Sequence, residues 1–549
     1  MGKRIDVVWY GDKEGKKYRG WWDMGILEDT FANEIWSTGF EFNHLEGIAN
    51  LPKDSEGAVV IIPARLLAGE EERINKELQR LDFVILMLGG DEESSFEVEK
   101  IKHPRSKIWV MSPRPNRHES YDKLGSGYPP QMRGLMPQNA PQKPLDYFFA
   151  GQITHTTRAE MQRWLQEIMK WDGLKGSATF TKGFTQGLPH KEYFEKTAQA
   201  KTVPAPSGPE TPDTFRLFEA LEAGAIPIAD NKEYWDWFFG QPELFPTLDS
   251  WEYLQGYIGD QVALYPSKNN KVFAWWQDYK RKMVLKIRDQ IKELSGIEPY
   301  QEQITILMPT SPYSIHPSTE HIEQTIRDTR VQLPDSEIII MVDGVREEKE
   351  PLRADYEEYK RRLLWLCNYQ WHNVRCVIFD EFHHQSGMVK KVLPEVKTPL
   401  ILFVEHDAPL DPIFPIPFDK LGEIILSGKA NAIRLNHEGV ILPEYKHLMI
   451  GEPEEIDGIK LLKTAQWSQR PHLASTAFYR YIMETYFREE AKAFIEHGIY
   501  GKIVEAYNID GVPGWNLWKL YIYYPDGGNI KRSYDLNTRG KDPNFDSIF

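Results

Sequence analysis

The feature that most constrains this chain is a recurring pattern. Short, almost unbroken apolar runs of strand length alternate with stretches that have the period of an amphipathic helix. The runs fall at 5–10, 58–62, 83–88, 108–111, 147–150, 225–229, 304–308, 338–342, 374–379 and 400–404, and helical patterns such as 70–81 and 318–331 lie between them. Strands alternating with helices predict α/β layers around mostly parallel sheets. In such sheets ligands bind beyond the carboxyl ends of the strands, so the residues that end each run are the first candidates for chemistry.

The last run ends in Glu405-His406-Asp407. Period-two geometry places Glu405 and Asp407 on one side if the strand continues. Two carboxylates there can hold a divalent cation, and the cation can hold a diphosphate. The alternative is a strand that ends in a solvated acidic turn. The run 338–342 ends at Asp343, a carboxylate able to bind a nucleobase or ribose, and the run 304–308 leads into a polar loop containing Thr310. The run 83–88 exits through Gly89 and Gly90 into Asp91, Glu92 and Glu93. Glycines allow a tight exit and close approach of a ligand. One of these acids, Asp91 first, could act as a base facing a cleft, or the three could form a solvated loop.

In the middle of the chain, a Gly/Pro/Ser/Thr loop containing Ser207 and Gly208 leads into a predicted helix, 213–223, stopped by Gly224. A loop entering a helix N-terminus is an anion site, because its free N–H groups point outward. Arg216 in the first turn could reach a phosphate. Glu219, three residues on and on the same face, could accept from ribose hydroxyls. The stretch 271–294 carries the apolar stripe Phe273, Trp276, Met283, Ile287, Ile291 and Leu294, and Gly296 ends it. The main boundary is placed in 297–303. Three domains are expected, at 1–145, 146–296 and 304–549.

Further on, a polar and aromatic segment, 465–474, precedes a helix and could line an acceptor site. Downstream of it lie the acids Glu489, Glu490 and Glu496, each of which could be a base or solvated surface charge. His383 and His384 are read as a loop.

Bulk numbers bound the function. The chain has 549 residues, 66 basic and 81 acidic, for a net charge of −15, which argues against a protein that coats nucleic acid. A nucleic-acid acceptor is disfavoured for the same reason. Two cysteines, Cys367 and Cys376, both in predicted buried segments, argue against a disulfide framework or zinc site and point to a reducing compartment. No apolar run approaches the ~20 residues of a membrane span. The expectation is a soluble cytoplasmic protein.

Two segments resemble known families. Residues 214–228, with an arginine-led helix, Glu219-Ala220, then Gly224-Ala225-Ile226-Pro227, resemble the nucleotide-binding segment of exostosin-like GT-B glycosyltransferases. Residues 147–151 with Arg158, and 91–93, are weaker matches to the same enzymes. This resemblance implies two Rossmann-like domains up to about residue 296, with Arg216 on the diphosphate, Glu219 on the ribose and no metal. Residues 304–412 resemble GT-A glycosyltransferases of the family that includes cellulose and chitin synthases, with Glu405-x-Asp407 in place of their Asp-x-Asp. This resemblance implies a GT-A-like α/β domain with Mn²⁺ or Mg²⁺ held by Asp407 and Glu405, with His472 as a possible third ligand and Glu496 as base. In that family a Glu-Asp pair carries the base, and here His497 stands in place of the Asp.

The resulting expectation is a bifunctional glycosyltransferase. It would use nucleotide-diphosphate sugars and a glycan, protein or other hydroxyl acceptor at two separate sites. In one alternative, one module is catalytic and the other binds acceptor or serves assembly. In another, the chain is a carbohydrate-recognition protein without catalysis.

Overall fold

The computed structural model describes residues 4–10, 23–67, 69–90, 96–183, 186–240, 245–437, 440–488, 492–525, 527 and 529–536. Asp91, Glu92, Glu93, Glu489 and Glu490 lie outside the described residues. The chain forms two compact units. Unit 1 comprises Met1–Tyr300 with Asn368–His372, and unit 2 comprises Gln301–Cys367 with Asn373–Phe549.

Unit 1 holds two parallel sheets. The first contains β1 (Arg4–Trp9), β2 (Glu41–Glu46), β3 (Gly57–Pro63), β4 (Phe83–Gly89), β5 (Ser106–Met111) and β6 (Asp122–Leu124), in the order β2-β1-β3-β4-β5-β6. The second contains β7 (Leu145–Gln152), β8 (Gly176–Thr181), β9 (Ala200–Ala205), β10 (Ile226–Asp230) and β11 (Thr247–Leu248), in the order β11-β10-β9-β7-β8. Every pairing in both sheets is parallel. Strands β3 and β4 are buried along their whole length, as strands covered on both faces must be.

Edge strands carry polar residues and escape a reading based on apolar runs. Strands β2 and β8 are half-buried and were not expected. Strand β9 contains Pro204. The proline is tolerated because the pairing of β9 with β7 ends at Thr202, beyond which a ladder N–H facing β7 is not needed. The stretch 111–144, rich in Pro, Gly, Asn and Arg and without periodicity, contains β6 and a short helix, Gln131–Leu135. The apolar stripe at 271–294 lies in the helix Ser267–Ser295, and Gly296 ends it in the left-handed conformation at φ 69°.

Unit 2 is a mixed nine-stranded sheet. It contains β12 (Ile304–Thr310), β13 (Ile338–Val342), β14 (Val374–Ile378), β15 (Leu400–Phe403), β16 (Ala432–Arg434), β17 (Met449–Ile456), β18 (Ile459–Thr464), β19 (His472–Ser475) and β20 (Leu520–Tyr523). The order is β14-β13-β12-β15-β19-β16-β20-β18-β17. The first four strands are parallel, and β19 runs antiparallel to both neighbours. The chain builds outward from β12 through β13 to β14, then returns to the other side of β12 as β15. That reversal opens a crevice at the carboxyl ends of β12 and β15.

Among the described residues, no helix is long and apolar enough to cross a membrane.

Candidate functional site

At the crevice of unit 2, four chain segments converge. Thr310 ends β12 and is buried, with its hydroxyl 3.2 Å from that of Tyr359. Asp343 follows β13 and is 1% exposed. Its carboxylate accepts the backbone N–H groups of Gly344, His383 and His384 at 2.9, 2.7 and 2.9 Å. Burial pushes its pKa up to about 6, against the lowering effect of those three donors. Asp343 therefore ties the loop after β13 to the loop after β14. The tie is close: a Cβ at Gly344 would sit 2.2 Å from the carbonyl carbon of Glu381.

The residues His383 and His384, read from sequence as a loop, begin the helix His384–Val392. His384 holds φ 60°, the left-handed region that a non-glycine residue adopts under strain. Its ring packs edge-on against Phe494 at 4.5 Å, and burial pushes its pKa down to about 4. The next residue, Gln385, is buried and donates through Nε2 to Glu405 Oε1 at 2.8 Å. Sequence reasoning missed Gln385, because a single glutamine at a helix start carries no pattern. Glu405 and Asp407 are both 8% exposed, and the ring of His406 between them packs against Tyr313. Asp343, Gln385 and Glu405 thus form one chain of contacts across three strand ends.

The segment 493–496 joins this group. Ser386 N–H donates to the Ala493 carbonyl at 3.0 Å, and Ala493 N–H donates to Ser386 Oγ at 3.2 Å. Glu496 is partly exposed and accepts the Gln469 N–H at 3.4 Å. Trp467 holds the same segment through its indole N–H on the Ile495 carbonyl at 3.1 Å.

His472 is placed differently from the expectation of a metal ligand. It is 2% exposed on β19, stacked on Phe403, with Tyr479 nearly coplanar at its Nε2 edge. Its Nδ1 lies 2.7 Å from the Arg470 carbonyl and its Nε2 meets the Tyr479 hydroxyl. A carbonyl can only accept, so Nδ1 carries the proton and Nε2 accepts from the tyrosine. Neither nitrogen can bind a cation without breaking one of these bonds. Among the described residues, no group of three or more His, Cys, Asp and Glu is arranged to hold a metal ion. The remaining donor set, Glu405 and Asp407, suits a cation such as Mg²⁺ that takes one or two carboxylates and completes its shell with water and phosphate.

In unit 1 the second sheet reverses between β7 and β9. Ser207, just beyond β9, donates through its N–H and its hydroxyl to Asp230 Oδ1 at 2.9 and 2.5 Å, and burial raises the Asp230 pKa. His155 meets the Ser207 carbonyl at 3.0 Å. Gly208 is required by space, since a Cβ would sit 2.7 Å from the Asp213 carbonyl oxygen. Arg216 lies in the first turn of the helix Phe215–Glu222, donating through Nε and Nη2 to the Ala150 carbonyl at 3.3 Å. A Cβ at Gly151 would fall 1.5 Å from Arg216 Nη2, so that glycine makes room for the guanidinium. Glu219 was expected beside Arg216 facing a ribose. It is 2% exposed and accepts the Tyr193 hydroxyl at 2.5 Å.

Comparisons with known proteins add little to this geometry. No protein-family model matches the chain, and no curated protein sequence matches it. Among solved structures the chain is similar to S. aureus TarS, at 13% identity and a TM-score of 0.27, over 43% of this chain and 36% of that one. It is also similar to S. aureus TarS 1-349 in complex with UDP-GlcNAc, at 14% identity and a TM-score of 0.26, over 42% of this chain and 58% of that one. The chain spans less than two thirds of either structure, and likenesses of this size identify no family.

Proposed function

We propose that the chain is a nucleotide-sugar-dependent glycosyltransferase whose principal site is the crevice of unit 2. One observation carries the reading: Thr310, Asp343, Glu405 and Asp407 end or follow three strands of one sheet, and Gln385 links Asp343's loop to Glu405. Strand-end carboxylates at a topological switch point suit a phosphorylated ligand only if a cation mediates. Glu405 and Asp407 would hold Mn²⁺ or Mg²⁺, which supplies positive charge against the leaving diphosphate. Gln385 fixes Glu405 through its N–H. Asp343, with all three of its amide donors internal to the fold, shapes the floor of the crevice. Glu496 is the base: its carboxylate takes the proton of the acceptor hydroxyl as that oxygen bonds to the anomeric carbon and the bond to the diphosphate oxygen breaks.

A second, metal-independent site in unit 1 would use Arg216 and the adjoining helix N-terminus against a diphosphate, with Ser207 and Gly208 lining the approach. The chain would then be bifunctional. A second reading makes unit 1 an acceptor-binding module, and it is favoured by Glu219, whose bond to Tyr193 commits it to the interior.

The test is transfer or hydrolysis with a panel of nucleotide sugars, with and without Mn²⁺. Asp407→Ala should abolish the metal-dependent turnover, and Arg216→Ala the metal-independent one. Turnover that survives both substitutions unchanged sinks the two-site reading.

A further inference from the structure

Gln385 is more than 90% buried, yet only one end of its carboxamide is satisfied. Its Nε2 donates to Glu405 Oε1 at 2.8 Å, while its Oε1 is buried with no hydrogen-bond partner. The carboxamide cannot simply be turned over, because that would set its oxygen against the Glu405 carboxylate, an acceptor facing an acceptor. The bond to Glu405 therefore determines which end carries the orphan oxygen. Buried carbonyl oxygens without a donor are uncommon and costly, and each calls for an explanation.

The neighbouring donors are already used. The N–H groups of Gly344, His383 and His384 go to Asp343, and the N–H of Gln385 goes to His384 Nδ1. The left-handed backbone of His384 fixes where the next side chain starts. Strain of this kind persists where the surroundings over-determine it, and it clusters at ligand sites.

We infer that Gln385 is a ligand-recognition residue of the unit 2 site, whose Oε1 accepts a hydrogen bond from a hydroxyl of the nucleotide sugar. This rests on the reading of that crevice as a nucleotide-sugar site. The hydroxyl belongs either to the ribose or to the transferred sugar, and both are supplied by the same ligand. The carboxamide then serves two tasks: its N–H orients Glu405, and its oxygen discriminates hydroxylated from deoxy ligands.

The experiment is titration calorimetry on the full chain with Mn²⁺, using UDP-glucose and GDP-mannose as probes. The tighter binder is then compared with its 2′-deoxyribose and 3′-deoxyribose forms, its deoxy-sugar forms, and the sugar-free diphosphate. Gln385→Leu should weaken the parent ligand about tenfold. For the one ligand lacking the recognised hydroxyl, that loss should shrink to within about twofold, which is the signature of a direct partner in a double-mutant cycle. Gln385→Met keeps the length of the side chain and removes the acceptor, so the same ligand-selective loss should appear in it. Thermal unfolding of both variants checks that the fold is retained. An equal loss on every ligand, or no loss on any, overturns the inference while leaving the nucleotide site intact. Binding of neither probe to the unsubstituted chain overturns the site reading and this inference together.

Discussion

The placement of His472 makes a quantitative prediction about acid stability. The ring is buried and neutral, with its pKa held down to about 4 by burial. The unfolded chain titrates near 6.5. A histidine whose folded pKa is lowered contributes stability that is present above the unfolded value and lost as pH falls through the folded one. From those two values this ring alone removes about 2 kcal/mol of stability by about pH 5 and about 3 kcal/mol by about pH 4. Other buried histidines of unit 2 contribute in the same direction, among them His384 and His437, each lowered to about 4. The single ring is therefore isolated by difference.

His472→Phe keeps the stack on Phe403 and removes the titration. Near neutral pH it should cost about 1–3 kcal/mol, because the Tyr479 hydroxyl and the Arg470 carbonyl lose their partners. Urea unfolding of both proteins near pH 7 and near pH 5 should show that gap narrowing by about 2 kcal/mol at the lower pH. A gap that stays constant refutes the neutral, buried assignment. Stabilisation by Mn²⁺ of the unsubstituted protein but not of His472→Phe would make the ring a metal ligand after all.

Two further predictions concern unit 1. Gly151→Ala places a methyl group where Arg216 Nη2 lies, and the flexible guanidinium can yield. Stability should fall by less than about 1 kcal/mol, while metal-independent nucleotide binding falls as far as in Arg216→Ala. Intact binding in Gly151→Ala would remove Arg216 from the site. Lys280→Met strips the partner from Glu222, whose Oε2 accepts Lys280 Nζ at 2.6 Å and Trp276 Nε1 at 2.7 Å in a fully buried setting. Unfolding should become easier by about 3–5 kcal/mol, since an uncompensated charge remains inside. A change below about 1 kcal/mol would refute the reading of Lys280 and Glu222 as a buried ion pair.

Strand-end chemistry was legible where burial wrote it into the sequence. The runs that become β12, β13 and β15 are apolar throughout because both faces are covered, and each stops abruptly at a polar residue. Thr310, Asp343 and Glu405 could be picked out on that ground. What those residues do was less legible. Asp343 looks like a free carboxylate until the backbone of 383–384 folds under it. Glu219 looks like the neighbour of Arg216 on a helix face, but the helix Phe215–Glu222 is buried on nearly every side, so its polar residue faces inward to Tyr193. His472 looks like a ligand because sequence carries no information about which partners a ring nitrogen meets. Gln385 has no sequence signal at all, since its importance comes from the strained turn at His384 and from Glu405, twenty residues away in the chain.

The central claim is that Glu405 and Asp407 make nucleotide binding in unit 2 depend on a divalent cation. The most direct measurement is equilibrium binding of a nucleoside diphosphate to the full chain, with and without Mn²⁺, in the unsubstituted protein and in Asp407→Ala. The account predicts that Mn²⁺ tightens binding about tenfold or more in the former and has no effect in the latter. Binding indifferent to Mn²⁺ in the unsubstituted chain, or an equal Mn²⁺ effect in Asp407→Ala, would contradict it.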